Sequence, residues 1–230
     1  MSDEKFGVLA PPSDERLLAT RNEREVRTET VRCSVNPGHQ RGGKRLGSLS
    51  VVLPEKHETD FIWTWHNDCL ISPHALNVLM KNQLTGFEAK PAVIHSKKQP
   101  TETPKYLEFR PIGWGGIAPE SSGVELIEYC EACGATEYSA YTNPEFLVDS
   151  SQWDGSDFFI VWPLPRFIFV SSHAHRVIAD NQITGAVIEP LAALKPGLAK
   201  GFSPGKLDYW FPGDRVRELK SKCDGIEGIN

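Results

Sequence analysis

Two stretches of this chain repeat one another in order, and that repetition limits the folds open to it. The first copy runs Asp60-Phe61-Ile62-Trp63-Thr64-Trp65, then Leu70-Ile71-Ser72, Ala75, Val78, Asn82-Gln83-Leu84-Thr85-Gly86 and Pro91. The second runs Asp157-Phe158-Phe159-Ile160-Val161-Trp162, then Phe169-Val170-Ser171, Ala174, Val177, Asn181-Gln182-Ile183-Thr184-Gly185 and Pro190. The two aspartates are 97 positions apart, and the spacing becomes 99 after a two-residue insertion. Tandem duplication is the simplest source, and each unit is then expected to cover an apolar face of something shared.

Each copy has the same local logic. Asp-Phe followed by aromatic and aliphatic residues is rich in strand formers. Leu70-Ile71 and Phe167–Val170 supply a second short strand. Ser72-Pro73 is a helix start, because serine caps free amides and proline is pre-set for a first turn; Ser171 holds the matching place. Ala75, Val78 and Leu79, like Ala174, Val177 and Ile178, fall at helical spacing and make one apolar stripe. Thr-Gly is expected to end each helix. Residues 87–94 and 186–191 then return as strands. A helix of about ten residues is marginal alone, so it must pack on its neighbouring strands.

Outside the copies the pattern changes. Residues 1–30 are polar and read as a loosely attached arm, with a short helix over 13–24 capped by Ser13. Val8-Leu9-Ala10 runs into Pro11-Pro12 and should be extended rather than helical. Between the copies, residues 105–112 and 124–129 read as strands, and Gly113-Trp114-Gly115-Gly116 as a tight turn with exposed backbone. An exposed Trp114 would serve as an interface anchor. The tail over 202–211 is aromatic and Gly/Pro-rich, and 214–222 reads as a last helix with Asp214 at its positive end.

The chemistry-bearing residues are cysteines. Cys130-x-x-Cys133-Gly134 has the shape of a zinc knuckle, with two thiolates on one tight turn. A closed site needs four ligands, and the best second pair is Cys33 and His39, which Pro37-Gly38 folds toward one another. The expectation is a Cys₃His site for structural Zn²⁺ joining distant segments. A turn with two reduced thiols and a redox pair are the other readings, although no thioredoxin-like strand–CxxC–helix follows. Cys69 and Cys223 lie outside any knuckle and read as buried thiols.

Charge sets limits on partners. The formal net charge is −5, which argues against a general nucleic-acid or anionic-membrane binder. Locally, Arg41-Gly42-Gly43-Lys44-Arg45 gathers cations on a Gly-rich stretch, an anion or nucleic-acid contact in outline. It is not a Walker loop, because Arg45 follows Lys44 where Ser or Thr is needed. The start of the chain lacks a basic-then-apolar leader, and no stretch approaches the roughly 20 apolar residues of a membrane span, so a cytoplasmic protein is expected.

The chain resembles the double-CXXCG motif proteins, a bacterial paralogous family carrying two Cys-x-x-Cys-Gly knuckles. The resemblance rests on Cys130–Gly134, on Cys33 as the remnant of the first knuckle, and on the repeated unit ending in Thr-Gly. The first knuckle departs from the pattern: it is Cys33-x₅-His39. Families related to it include immunity proteins that neutralise partner toxins. The resemblance implies a binding protein rather than an enzyme, with a protein partner that a net acidic body suits. The alternative is a zinc-stabilised regulatory module contacting nucleic acid through Arg41, Lys44 and Arg45.

For catalysis the residues offer less. His66 and Cys69 form a nucleophile–base pair only on paper, with Asp68 as the lone nearby acid. His173 and His175 point apart on a helix. Asp154 and Asp157 read as a turn and a strand entry.

The expected architecture is therefore α+β: tandem strand–helix–strand repeats on a mixed or antiparallel sheet, with a zinc-knuckle subdomain. The arm would be 1–30 and the two-repeat core 31–200. Within the core, repeat one spans about 60–95, the knuckle insert about 105–145 and repeat two about 157–194. The tail, 201–230, would pack on the core.

Overall fold

A computed structural model of the chain describes residues 5–55, 58–96, 105–195, 201–223 and 229. In chain order the strands are β1 (Phe6–Ala10), β2 (Thr20–Arg21), β3 (Arg27–Val31), β4 (Arg41–Leu46), β5 (Ser50–Val52), β6 (Phe61–Trp63) and β7 (Cys69–Ile71). Helix α1 (Pro73–Lys81) follows, then β8 (Phe87–Pro91), β9 (Val93–His95), β10 (Leu107–Pro111), β11 (Gly113–Ile117), β12 (Leu126–Cys130) and β13 (Ala135–Tyr138). β14 (Phe158–Trp162) and β15 (Ile168–Ser171) lead into α2 (Ser172–Asp180); β16 (Val187–Pro190) and α3 (Gly213–Lys222) come last.

The class is α+β. A five-stranded sheet has the order β11-β14-β15-β1-β16, and a four-stranded one the order β6-β7-β10-β8. The four-stranded sheet is antiparallel throughout; the larger one is mixed, because β11 runs parallel to β14. A small sheet β2-β5-β9 and the hairpins β3–β4 and β12–β13 complete the described strands.

The two helices start as the serines dictate. Ser72 Oγ accepts from Ala75 N at 3.0 Å, and Ser171 Oγ from Ala174 N at 3.1 Å. Their ends differ from the expected Thr-Gly stop. Each helix closes on an asparagine whose side-chain amide donates to the carbonyl four residues back, Asn82 to Val78 and Asn181 to Val177. Gln83 and Gln182 then take the left-handed conformation, at φ 58° and 53°. The glycines serve something else. A Cβ on Gly86 would collide with the Phe158 carbonyl, and one on Gly185 with the Phe61 carbonyl. Each glycine lets its loop touch a strand of the other matched segment.

Aromatic packing joins the same segments. Phe109 of β10 lies edge-on to Phe61 at 5.6 Å and to Phe158 at 5.0 Å, and stacks on Phe87 at 5.2 Å. Ala75 and Leu79 of α1 and Ala174, Val177 and Ile178 of α2 close over this one cluster. The apolar stripes of both helices therefore share a core, which offsets the entropy of ordering two short helices.

Three expectations are corrected here. Residues 6–10 are no loose arm: β1 pairs with both β15 and β16, and Val8 and Leu9 are buried at 3% and 2% exposure. In place of the expected helix over 13–24 the structure has a single turn of 3₁₀ helix, Glu15–Leu17, capped by Asp14, and then β2. Gly113–Gly116 is a buried strand rather than an exposed turn, because Cβ atoms at 113 and 115 would strike Ser156 and the Phe159 ring. Residues 1–4 of the expected arm, 97–104 ahead of β10, and 196–200, 224–228 and 230 toward the tail lie outside the described residues.

Candidate metal centre

Two hairpin tips meet to form the site. On the first, β3 leads to Cys33, whose sulfur accepts from Asn36 N at 3.3 Å. The Asn36 side chain caps the Pro37–His39 turn by accepting from Gly38 N at 2.9 Å, and the chain returns as β4. The turn thus brings His39 back toward Cys33, as the Pro-Gly pair implies. On the second, β12 ends at Cys130, whose carbonyl accepts from Cys133 N at 3.3 Å and Gly134 N at 2.7 Å. Gly134 sits at φ 66°, a left-handed conformation glycine adopts without penalty, and β13 then departs.

Cys33, His39, Cys130 and Cys133 come together with their ligand atoms all within 4.8 Å of one another. Cys33 Sγ lies 3.7 Å from Cys130 Sγ, and Cys133 Sγ lies 3.7 Å from His39 Nδ1. Three soft sulfurs and one imidazole nitrogen at such spacing are compatible with a bound metal ion.

The surroundings favour charge on one sulfur. Burial raises the Cys133 thiol, but hydrogen bonds from Arg41 above all, then from the Ala135 amide and His39, outweigh it and bring its pKa down to about 6. Arg41 Nη1 donates to that sulfur at 3.5 Å and Nη2 to the Cys133 carbonyl at 3.0 Å. Cys130 titrates above its ordinary value, through burial and then the hydrogen bond with Cys133. Outward from the cluster, His39 Nε2 lies 3.2 Å from Glu128 Oε1 and 2.9 Å from Asn36 Nδ2. His39 thus turns Nδ1 toward the three sulfurs and Nε2 outward to Glu128 and the Asn36 side-chain amide, and these outer contacts orient the ring. Neither Asn36 nor Glu128 stood out in the sequence; only the hairpin register places them there.

The other singled-out residues are distributed as follows. Arg41 is committed to Cys133. Arg45 is paired with Glu108, and Lys44 Nζ lies 3.7 Å from Asp208. Trp114 is 4% exposed and packs edge-on against Phe211, so the expected interface anchor is a core residue. His66 Nε2 faces Glu23 at 3.3 Å, while Cys69 is buried and its thiol is raised well above the ordinary value by desolvation, then by Asp68 and Glu108. That pair is not activated. His173 Nδ1 lies 3.1 Å from Asp157, and Asp154 binds the Trp114 and Ser156 amides and Arg215.

A trio that the sequence did not suggest, Ser50, His95 and Glu25, also meets. His95 Nε2 lies 3.1 Å from Ser50 Oγ and 3.0 Å from Glu25 Oε2, and Ser50 donates to that same carboxylate oxygen at 2.7 Å. A relay needs acid and hydroxyl on opposite ring nitrogens. Here both sit on one nitrogen, which makes the trio a structural tie between β5 and β9. Among the described residues no helix is long and apolar enough to cross a membrane. No protein-family model matches the chain, and no curated protein is found that matches it.

Proposed function

We propose that Cys33, His39, Cys130 and Cys133 hold one structural Zn²⁺, and that the chain is a non-enzymatic, cytoplasmic binding protein of the toxin-immunity kind. The observation that carries the metal reading is the spacing of the four ligand atoms. A tetrahedron with Zn–S near 2.3 Å and Zn–N near 2.0–2.1 Å has edges of roughly 3.5–3.8 Å. The approaches of Cys33 to Cys130 and of Cys133 to His39 are both 3.7 Å. No fifth donor is needed, so the metal would be structural, and its chemistry would be to cross-link two hairpins.

The metal also bears on the ancestry of the chain. Cys33 and Cys130 are 97 positions apart, the same spacing that separates Asp60 from Asp157. We read the β3–β4 and β12–β13 hairpins as further parts of the two duplicated units, one knuckle from each. This is what a divergent double-CXXCG protein would have, with His39 standing in for one cysteine of the first knuckle. Binding of a basic toxin suits the net charge of −5. The nucleic-acid reading is the weaker one, because Arg41, Lys44 and Arg45 already have acceptors within the fold.

Co-expression tests the reading. The product of the gene immediately upstream should arrest growth of a host when expressed alone, and this chain should restore growth and co-purify with it at equal stoichiometry. Growth arrest unrelieved by the chain, with no complex formed, removes the immunity assignment. Cys130→Ser should lose both zinc and protection.

A further inference from the structure

We propose that the cleft between the β3–β4 hairpin and the 203–213 segment binds a small phosphate-bearing ligand with an aromatic group, a mononucleotide in size and chemistry. The inference stands apart from the metal and from the immunity reading.

The cleft encloses about 950 Å³, near the top of the roughly 300–1,000 Å³ that small-molecule sites occupy. Seven Lys and Arg side chains line it against three Asp and Glu, in a chain whose net charge is −5. A concave, positively charged site in an acidic body concentrates anions.

Most of these cations are matched. Arg21 grips Asp68 with both nitrogens of its fork, and Arg45 is paired with Glu108. Lys44 lies 3.7 Å from Asp208 and Lys90 2.7 Å from Glu88, which Arg110 also approaches at 3.6 Å. Arg166, from the turn between β14 and β15, is different. Among the described residues it has no carboxylate in ion-pair range. It donates to the His66 carbonyl at 3.1 Å and lies 5.7 Å from the Trp210 ring centroid. Partial desolvation, and then the charge of Arg21, hold its pKa below the ordinary value. Asp68 opposes these two effects in part, and an anion beside Arg166 would add to that compensation.

The ligand class follows from the wall. A guanidinium presents a planar fork of donors that matches phosphate. Next to it, Trp210 and Tyr209 are half-buried and offer ring surface for a base. Arg110 Nη2 donates to the Trp210 carbonyl at 2.9 Å, which holds this wall in place.

Titration calorimetry on the full chain as purified, at low salt, tests the proposal with AMP, ribose 5-phosphate, inorganic phosphate, adenosine and a short single-stranded RNA. The expected result is binding of AMP on the order of 0.1 mM or tighter, with phosphate and adenosine roughly tenfold weaker or silent. Arg166→Gln should weaken AMP roughly tenfold, as loss of a charged hydrogen-bond pair does, while Lys222→Gln on α3 leaves it unchanged. Arg166→Lys keeps the charge without the fork and should fall between, so the comparison survives if the glutamine variant folds poorly. Three outcomes overturn the proposal: no AMP binding at millimolar concentration, AMP binding indifferent to both Arg166 variants, or RNA bound where no mononucleotide is.

Discussion

Thr184 donates both its backbone amide, at 3.0 Å, and its hydroxyl, at 3.1 Å, to one oxygen of Asp60, 124 residues earlier in the chain. Thr85 does the same to Asp157, at 3.0 and 3.3 Å. The other oxygen of each aspartate serves its own helix start, accepting from Ser72 at 2.7 Å or Ser171 at 2.6 Å. Each carboxylate therefore ties a helix cap on one segment to the loop after the helix on the other.

Asp157→Asn should be destabilising. An asparagine offers one acceptor oxygen where two are used, and its amide would face either the Thr85 donors or Ser171 and His173. Leaving buried donors unmet costs about 1–3 kcal/mol, so the urea midpoint should fall by that equivalent with an unchanged slope.

Asp60 supplies a pH dependence. Burial opposes its charge, but the Thr184 amide, Ser72, His74 and the Thr184 hydroxyl together hold its pKa below the ordinary 3.8. A depressed carboxylate stabilises the fold above its unfolded pKa and loses that contribution as pH falls through the folded one. The stability difference between wild type and Asp60→Asn should thus be full at neutral pH and vanish only below pH 3.8. A difference that disappears well above that value would contradict the assignment.

Phe109→Ala should be among the most costly core changes. The ring is 2% exposed and is the one that meets both Phe61 and Phe158. Loss of a buried phenylalanine costs about 3–5 kcal/mol. Thermal unfolding should show one cooperative transition shifted down, because both segments depend on the ring.

Arg41→Ala tests the shell around the proposed metal site, the cluster of Cys33, His39, Cys130 and Cys133. Outer-shell partners of metal ligands typically change affinity by roughly 10–100-fold. Zinc affinity, measured by competition with a chelating dye, should drop by at least roughly tenfold, with the secondary structure unchanged by circular dichroism.

Much of the candidate site was legible in the sequence, because its signals are local. Cys130-x-x-Cys133-Gly134 demands a turn, and Pro37-Gly38 folds His39 back toward Cys33. The helix starts were legible for the same reason: Ser72 and Ser171 act within three residues. What was hidden depends on distant partners. Val8-Leu9 looks like a stray apolar pair until β15 and β16 flank it. The β3–β4 hairpin, Arg27–Val31 with Arg41–Leu46, has no apolar alternation because neither face enters the core. Trp114 was misplaced because glycines beside it suggest a turn. In the fold they make room for Ser156 and Phe159.

The metal staple is tested most directly by elemental analysis combined with zinc-edge X-ray absorption on protein purified without chelator. The expected result is about one zinc per chain, with a first shell of three sulfurs and one nitrogen, lost in Cys130→Ser and in Cys33→Ser alike. Native protein that carries no metal and melts at the same temperature before and after chelation would contradict it, as would a Cys33→Ser variant that keeps its full zinc complement.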